Sequence, residues 1–178
     1  MTIFSIDPGN IQSGLVKMID NEIIKASILP NEEVMRIILN EGGKVVFEDI
    51  KPYSIRLGQQ TVDTIKYIGQ IQYRLNEAGI DNEAVFRWQV KKWVYDTFQK
   101  ICEERILLKI QQRGLIDKYG NDRKTSFVFV DDRIVIAAMK IRWDIKTPLP
   151  GRKSLHGLSK HSWQALAVGT YYIDSKKE

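Results

Sequence analysis

Four short apolar runs in the first 50 residues constrain the fold more than any other feature of the sequence. Three of them follow one another with only turn signals between them, and they occupy residues 2–6, 13–19 and 23–29. Short apolar runs joined by turns predict an antiparallel meander of strands. The fourth run, residues 44–50, comes after a segment of helical length, so its strand can lie beside the first one across a helix. The sequence therefore predicts a mixed sheet.

Helical periodicity marks the segments between and after these strands. Residues 30–41 have apolar side chains at helical spacing, with Asn31 as a candidate N-cap. Residues 57–78 carry a continuous apolar face, and a fifth strand is expected at 84–88. Three more helices are predicted, over residues 89–113, from Asp131 or Asp132 to about 143, and over 159–172. This order predicts an α/β fold, a five-stranded mixed sheet with helices on both faces.

Composition is that of an ordinary globular protein. The chain has 178 residues, of which 43% are hydrophobic and 28% charged. Its one cysteine excludes a disulfide scaffold and fits a reducing compartment. No apolar run approaches the roughly 20 residues that a membrane span needs, and the first residues do not resemble a signal peptide. We therefore expect one cytoplasmic domain, residues 1–178, with a helical or loop insertion at about 97–127.

Positive charge is concentrated in one segment near the end of the chain. The net charge is +5, and the segment from Lys140 to Lys160 has six basic residues and one acid. The same segment contains two prolines and two glycines, which indicates a loop. A basic loop of this kind can follow a phosphate backbone, and it can equally be a solvated loop with incidental charge.

Two acids are placed where they could act together. Asp7 ends the first predicted strand, and Glu48 stands near the end of the fourth. Each has a simpler explanation, Asp7 as a turn residue and Glu48 as a side chain emerging into solvent. If the two strands are neighbours, the carboxylates lie close together and either repel each other or share a divalent cation. Oxygen ligands of this type suit Mg²⁺ or Mn²⁺.

The last predicted helix supplies a third element. His161 and Gln164 are three residues apart, so they lie on one face of this helix. A neutral histidine can bind a metal, and a glutamine can position water, although a solvated helix terminus explains His161 as well. Asp131 and Asp132 are most simply helix caps. The sequence shows no catalytic-triad signature, zinc-ligand spacing or phosphate-binding glycine loop.

Five motifs in order resemble a known family. They are FSIDPGNIQSGLV, VVFEDI, IRLGQQTVDTI, WQVKKWV and HSWQALAVGTYY, and together they span residues 4–172. In this order they resemble the RuvC-type Holliday junction resolvases of the ribonuclease H-like superfamily. The region from about 97 to 127 has no counterpart in the family, as expected of a divergent, phage-encoded member.

The resemblance implies a homodimeric endonuclease that resolves four-way DNA junctions with Mg²⁺ or Mn²⁺. Asp7 and Glu48 match the family's first two metal-binding acids, and His161 falls at the position of a third ligand. Gln164 stands where a catalytic aspartate is usual, so another acid such as Asp132 could substitute. Lys91 matches a basic residue that approaches the scissile phosphate.

The resemblance also implies residues that bind DNA. The family's junction-stacking aromatic follows the second acid by three residues, where this chain has Lys51, and Tyr53 is the candidate replacement. Backbone phosphates would contact basic side chains at Lys51, Arg56, Lys92, Arg152, Lys153 and Lys160. The apolar face of the helix from Leu57 is the expected dimer surface. Two alternatives stay open, a nuclease of the same fold for branched DNA or RNA generally, and a junction-binding protein with weak or no catalysis.

Overall fold

The protein is described by a computed structural model that covers residues 1–50, 57–113, 127, 130–145 and 158–177. Five strands form one sheet in the order β3-β2-β1-β4-β5. They are β1 (Thr2–Asp7), β2 (Gln12–Ile19), β3 (Glu22–Pro30), β4 (Lys44–Asp49) and β5 (Asn82–Phe86). The first three pair antiparallel, whereas β1, β4 and β5 are parallel. The predicted five-stranded mixed sheet is confirmed.

Six helices lie in the described part of the chain. They are α1 (Asn31–Glu41), α2 (Gln59–Glu77), α3 (Arg87–Thr97), α4 (Gln99–Arg113), α5 (Asp132–Arg142) and α6 (Lys160–Ser175). The helix predicted over 89–113 divides at Phe98, whose ring packs edge-on against Trp93 at 6.0 Å between centroids. Asp131 caps α5 as predicted, since its side chain accepts a hydrogen bond from the amide of Ile134. No helix among the described residues is both long and apolar enough to cross a membrane.

The main core lies on the face of the sheet that packs against α1 and α2. Alternate residues of β1 and β4 point into it, together with buried side chains of both helices. Ile68, Ile71 and Leu75 of α2 are at most 5% exposed and belong to this core. The prediction that the apolar face of α2 forms a dimer surface is therefore wrong for these residues, because they pack within their own chain.

The opposite face of the sheet is covered by α6, which contacts β1, β2 and β4. The helix approaches closely at Gly169, where an added Cβ would lie 2.1 Å from Cε of Met18 and 2.8 Å from Oγ of Ser5. A larger residue at this point of the helix would require the side chains of Met18 and Ser5 to shift. The close approach packs the middle of α6 directly onto β1 and β2.

The chain forms two compact units. The first comprises Met1–Arg87 and Lys146–Glu178, and the second comprises Trp88–Ile145. Within the second unit, α4 packs against α5, with Cys102 and Ile106 of α4 and Ile134 of α5 fully buried. The predicted insertion at about 97–127 falls in the second unit, and residues 114–126 lie outside the described part of the chain.

Candidate active site

Parallel pairing of β1 with β4 brings Asp7 and Glu48 to neighbouring positions. Ile6 is the partner of Phe47 in the register, and the two acids are the residues that follow immediately. They alternate with core residues, so both side chains lie on the α6 face of the sheet. Asp7 is 5% exposed and Glu48 is 4% exposed. Two buried carboxylates at adjacent strand ends need compensating positive charge or hydrogen-bond donors.

His161 supplies that compensation for Asp7. Its Nδ1 atom lies 2.7 Å from Oδ2 of Asp7, and the imidazole side chain is 55% exposed. When the carboxylate of Asp7 is ionised it can only accept, so Nδ1 is then the donor of this hydrogen bond and a neutral ring has its lone pair on Nε2. The start of α6 is fixed by a capping box, in which Oγ of Ser162 accepts a 2.7 Å hydrogen bond from the amide of Ser159.

Gly14 explains how α6 reaches this position. It pairs with Asp7 across β1 and β2. A Cβ at residue 14 would lie 2.4 Å from the carbonyl oxygen of His161, which is far inside van der Waals contact. The glycine of the Ser13-Gly14 motif is therefore required because the first turn of α6 rests on the backbone of β2.

A second set of hydrogen bonds holds the loop that follows Asp7. The Ser13 hydroxyl accepts from the amide of Gly9 at 3.2 Å and donates to Oδ1 of Asn31 at 2.8 Å. Asn31 Nδ2 donates to the carbonyl of Gly9 at 3.0 Å. Asn31 is thus the first residue of α1 and not its N-cap, which is Pro30; its side chain closes the loop instead. We call these three residues, Gly9, Ser13 and Asn31, the loop clamp.

Tyr67 of α2 extends the loop clamp into the core. Its hydroxyl donates to the backbone carbonyl of Asn31 at 3.0 Å. Burial of the phenol raises the pKa of Tyr67 to about 12, so the hydroxyl stays protonated and keeps its role as a donor. Sequence patterns gave no signal for this contact, because Tyr67 lies 36 residues from Asn31 in the chain.

Glu48 is compensated by a residue that sequence reasoning missed. Nη1 of Arg87 lies 3.0 Å from Oε1 of Glu48. Arg87 directly follows β5, whose last residue, Phe86, pairs with Asp49 beside Glu48. A basic residue at the end of the third parallel strand was the signal that could have identified it.

The structure describes some of the remaining predicted site residues and not others. Gln164 is 8% exposed and lies one helical turn beyond His161. Lys91, Lys92 and Asp132 belong to the second compact unit; Lys92 forms an ion pair with Asp96 one turn further along α3. Of Lys160 only the backbone is described, and the other predicted DNA-binding residues lie outside the described part of the chain: Lys51, Tyr53, Arg56, Arg152 and Lys153.

In the described part of the chain, Asp7 and Glu48 are not part of a preformed cluster of metal ligands. Within the described ranges, no three His, Cys, Asp or Glu side chains are grouped closely enough to hold a metal ion. The contacts at these two acids include one between Asp7 and His161 and one between Glu48 and Arg87. Charge at the strand ends is therefore balanced by the protein's own side chains.

Comparison with solved structures agrees with the topology. A structure of Thermus thermophilus RuvC in complex with a Holliday junction substrate superimposes with a TM-score of 0.59 and 14% sequence identity, covering 99% of this chain and 95% of that chain. The chain has a RuvC-like fold. A second Thermus thermophilus RuvC structure gives a TM-score of 0.52 at 15% identity, covering 99% of this chain and 97% of that one.

Comparisons of the sequence alone found no match. No protein-family model matches the chain, and no curated protein is significantly similar to it. The RuvC-like fold is therefore shared with little sequence identity, which agrees with the prediction of a divergent chain. The ribonuclease H-like α/β architecture expected from the ordered motifs is confirmed.

Proposed function

We propose that this chain is a metal-dependent, structure-selective endonuclease that resolves four-way DNA junctions by paired nicks. The observation that carries the proposal is the placement of Asp7 and Glu48, two buried acids at adjacent positions on parallel strands of a RuvC-like fold. The solved structure with this fold that contains a Holliday junction substrate supports branched DNA as the ligand class.

The donor set at this edge of the sheet fits a hard divalent cation. Asp7 and Glu48 offer carboxylate oxygens, which Mg²⁺ and Mn²⁺ prefer, and His161 adds an imidazole nitrogen. We propose Asp7 and Glu48 as ligands, and His161 as a third ligand that joins them once a cation is bound, since in the metal-free geometry the three side chains are not grouped closely enough to share an ion. Such a cation, when bound, activates water for attack on phosphorus and stabilises charge on the phosphoryl oxygens.

The other steps, which are orientation of groups, stabilisation of charge and positioning of water, are assigned to side chains of the protein. In the metal-free protein, the 2.7 Å contact between Nδ1 of His161 and Oδ2 of Asp7 holds the imidazole ring next to the carboxylate. Lys91 is proposed to stabilise charge on the scissile phosphate, and Gln164 to position water beside His161. The loop clamp holds the backbone after Asp7, so that the carboxylate is preorganised.

DNA would be held mainly through its phosphates. The proposed contacts are Lys51, Tyr53, Arg56, Lys92, Arg152, Lys153 and Lys160, of which all but Tyr53 are basic. Such contacts position a duplex without reading its sequence. A homodimer is proposed because a four-way junction has two symmetry-related strands to nick, which a two-fold axis matches.

Nicking of a synthetic four-way junction with Mg²⁺ or Mn²⁺ tests the proposal. Wild type is compared with Asp7→Asn, Glu48→Gln and, as a matched control, Glu22→Gln on the exposed edge strand β3. We expect paired cuts that the control retains and the first two variants lose. Junction binding without cutting in either metal would instead support a non-catalytic binding protein. Equal cutting of flaps or RNA–DNA hybrids would support a general nuclease.

A further inference from the structure

The ion pair between Arg87 and Glu48 carries an inference that rests on the proposed function and deepens it. We propose that Arg87 is a placeholder cation, whose guanidinium neutralises Glu48 in the metal-free protein. A divalent cation displaces it, and the released guanidinium then binds a phosphate of the DNA. Arg87 thus positions an acid in one state and contacts substrate in the other.

Burial of the two partners is unequal, which supports the first half of the proposal. The Glu48 side chain is 6% exposed, whereas that of Arg87 is 43% exposed. An uncompensated buried carboxylate is strongly destabilising, so Glu48 needs positive charge or hydrogen-bond donors both with and without the metal. The guanidinium is accessible to water, so it would remain solvated when a divalent cation takes its place on Glu48.

The contact also competes directly with metal binding. Arg87 occupies Oε1 of Glu48 at 3.0 Å, and this carboxylate is one of the two that would hold the cation. A divalent ion and a guanidinium on one carboxylate repel each other, and the repulsion is strong where burial lowers the effective dielectric constant. Asp7 carries no such competitor, because its partner His161 can be neutral.

The position of Arg87 supports the second half of the proposal. It stands at the carboxyl end of β5, next to β4, where Glu48 emerges. Its planar guanidinium can bind two phosphate oxygens at once, which the compact ammonium of lysine cannot do in the same way. Movement of a side chain already in contact with solvent would carry it from the carboxylate to a phosphate without a change in the backbone.

Calorimetric titration of Mn²⁺ into the DNA-free protein tests the placeholder. We expect Arg87→Gln to bind Mn²⁺ at least about fivefold more tightly than wild type, because the competitor is gone. The metal-free variant should melt at a lower temperature, and Mn²⁺ should raise its melting temperature more than that of wild type. The matched control is Arg74→Gln, which removes an ion pair elsewhere in the chain, between Nη1 of Arg74 and both carboxylate oxygens of Glu32, and should not change Mn²⁺ affinity.

If Arg87→Gln does not fold, the same titration is made with Arg87→Lys. Lysine retains the charge but makes fewer directed contacts, so its Mn²⁺ affinity should exceed that of wild type and remain below that of Arg87→Gln. Equal or weaker Mn²⁺ binding by both variants, with wild type still binding, would overturn the placeholder and leave the proposed nuclease standing. Absence of Mn²⁺ binding in all proteins would overturn the proposed metal site and the placeholder together.

The phosphate contact has a separate measurement. Junction affinity is determined over a range of salt concentrations, with and without Ca²⁺, a cation of the same ligand preference. Arg87→Gln should flatten the log–log salt dependence by about one unit with Ca²⁺ present and leave it unchanged without the metal. An identical slope in both proteins with Ca²⁺ would overturn the phosphate-binding role.

Discussion

His161 contacts Asp7 across 154 residues of sequence, with Nδ1 of the imidazole 2.7 Å from Oδ2 of the carboxylate. The contact joins the first turn of the last helix to the end of the first strand. It places one exposed and one buried group in a fixed geometry at the edge of the sheet. The proposed chemistry depends on this geometry, and it can be tested residue by residue.

Removal of the imidazole should slow catalysis without unfolding the protein. We expect His161→Ala to reduce the rate of junction nicking by about 10- to 100-fold, because it removes both a proposed ligand and the hydrogen-bond partner of Asp7. Junction affinity should not change, because the residue is proposed to act on the metal site and not on the DNA backbone. Single-turnover nicking and an equilibrium binding assay measure the two effects. An unchanged nicking rate would contradict the role of His161.

Substitution of Gly14 should weaken the packing of α6 against the sheet. An alanine Cβ would lie 2.4 Å from the carbonyl oxygen of His161, and backbone cannot move away as easily as a flexible side chain. We expect Gly14→Ala to lower the free energy of unfolding by about 1–3 kcal/mol and to slow nicking. Gly69→Ala is the control, since no atom lies within 4 Å of a Cβ there and its helical position favours alanine by about 1 kcal/mol. Equal stability of the two variants would refute the steric argument.

The loop clamp should control local order after Asp7. Asn31→Ala removes a donor to the Gly9 carbonyl and an acceptor for Ser13, so we expect a loss of about 1–3 kcal/mol in unfolding free energy. Asn31→Asp keeps the acceptor and loses the donor, and its effect should be smaller. Amide hydrogen exchange at Gly9 reports the clamp directly. Exchange as slow in Asn31→Ala as in wild type would show that the clamp does not order the loop.

An acid at position 164 should behave differently from a neutral residue of the same size. Gln164 is 8% exposed, so a carboxylate there lowers stability by about 1–3 kcal/mol in the absence of metal. We expect Mn²⁺ to stabilise Gln164→Asp more than wild type and to increase its nicking rate. Gln164→Asn has the same shortened side chain without the charge and should show neither effect. Matching behaviour of the two variants would exclude residue 164 from the metal site.

The cysteine in the second compact unit should be unreactive while the protein is folded. Cys102 is fully buried, and burial raises the pKa of its thiol to about 11. At about pH 8 the reactive thiolate is therefore scarce as well as inaccessible. We expect a thiol reagent to modify the native protein very slowly and the unfolded protein rapidly. The ratio of the two rates should equal the fraction of time that α4 is open. Rapid modification of the native protein would show that α4 does not pack as described.

The local hydrophobic pattern and the order of the elements along the chain were sufficient to predict the sheet and its strand pairing. Turn-linked apolar runs determine an antiparallel meander, and a helix between two strands determines a parallel pair, because a crossover is the short connection that buries the apolar faces of both elements. The placement of Asp7 beside Glu48 follows from that framework alone. The capping role of Asp131 is equally local, since the accepting side chain and the donating amide are three residues apart.

The partners of these residues were decided only by the tertiary structure. Glu48 meets Arg87 across 39 residues, and Asn31 closes the Gly9 loop across 22. The apolar face of α2 has the same periodicity whether it packs in its own core or against a second copy, so the sequence predicted the wrong use of it. Periodicity reports which faces avoid water. It does not report which distant group covers a face or balances a charge, because that depends on distances that arise when the sheet and helices pack together.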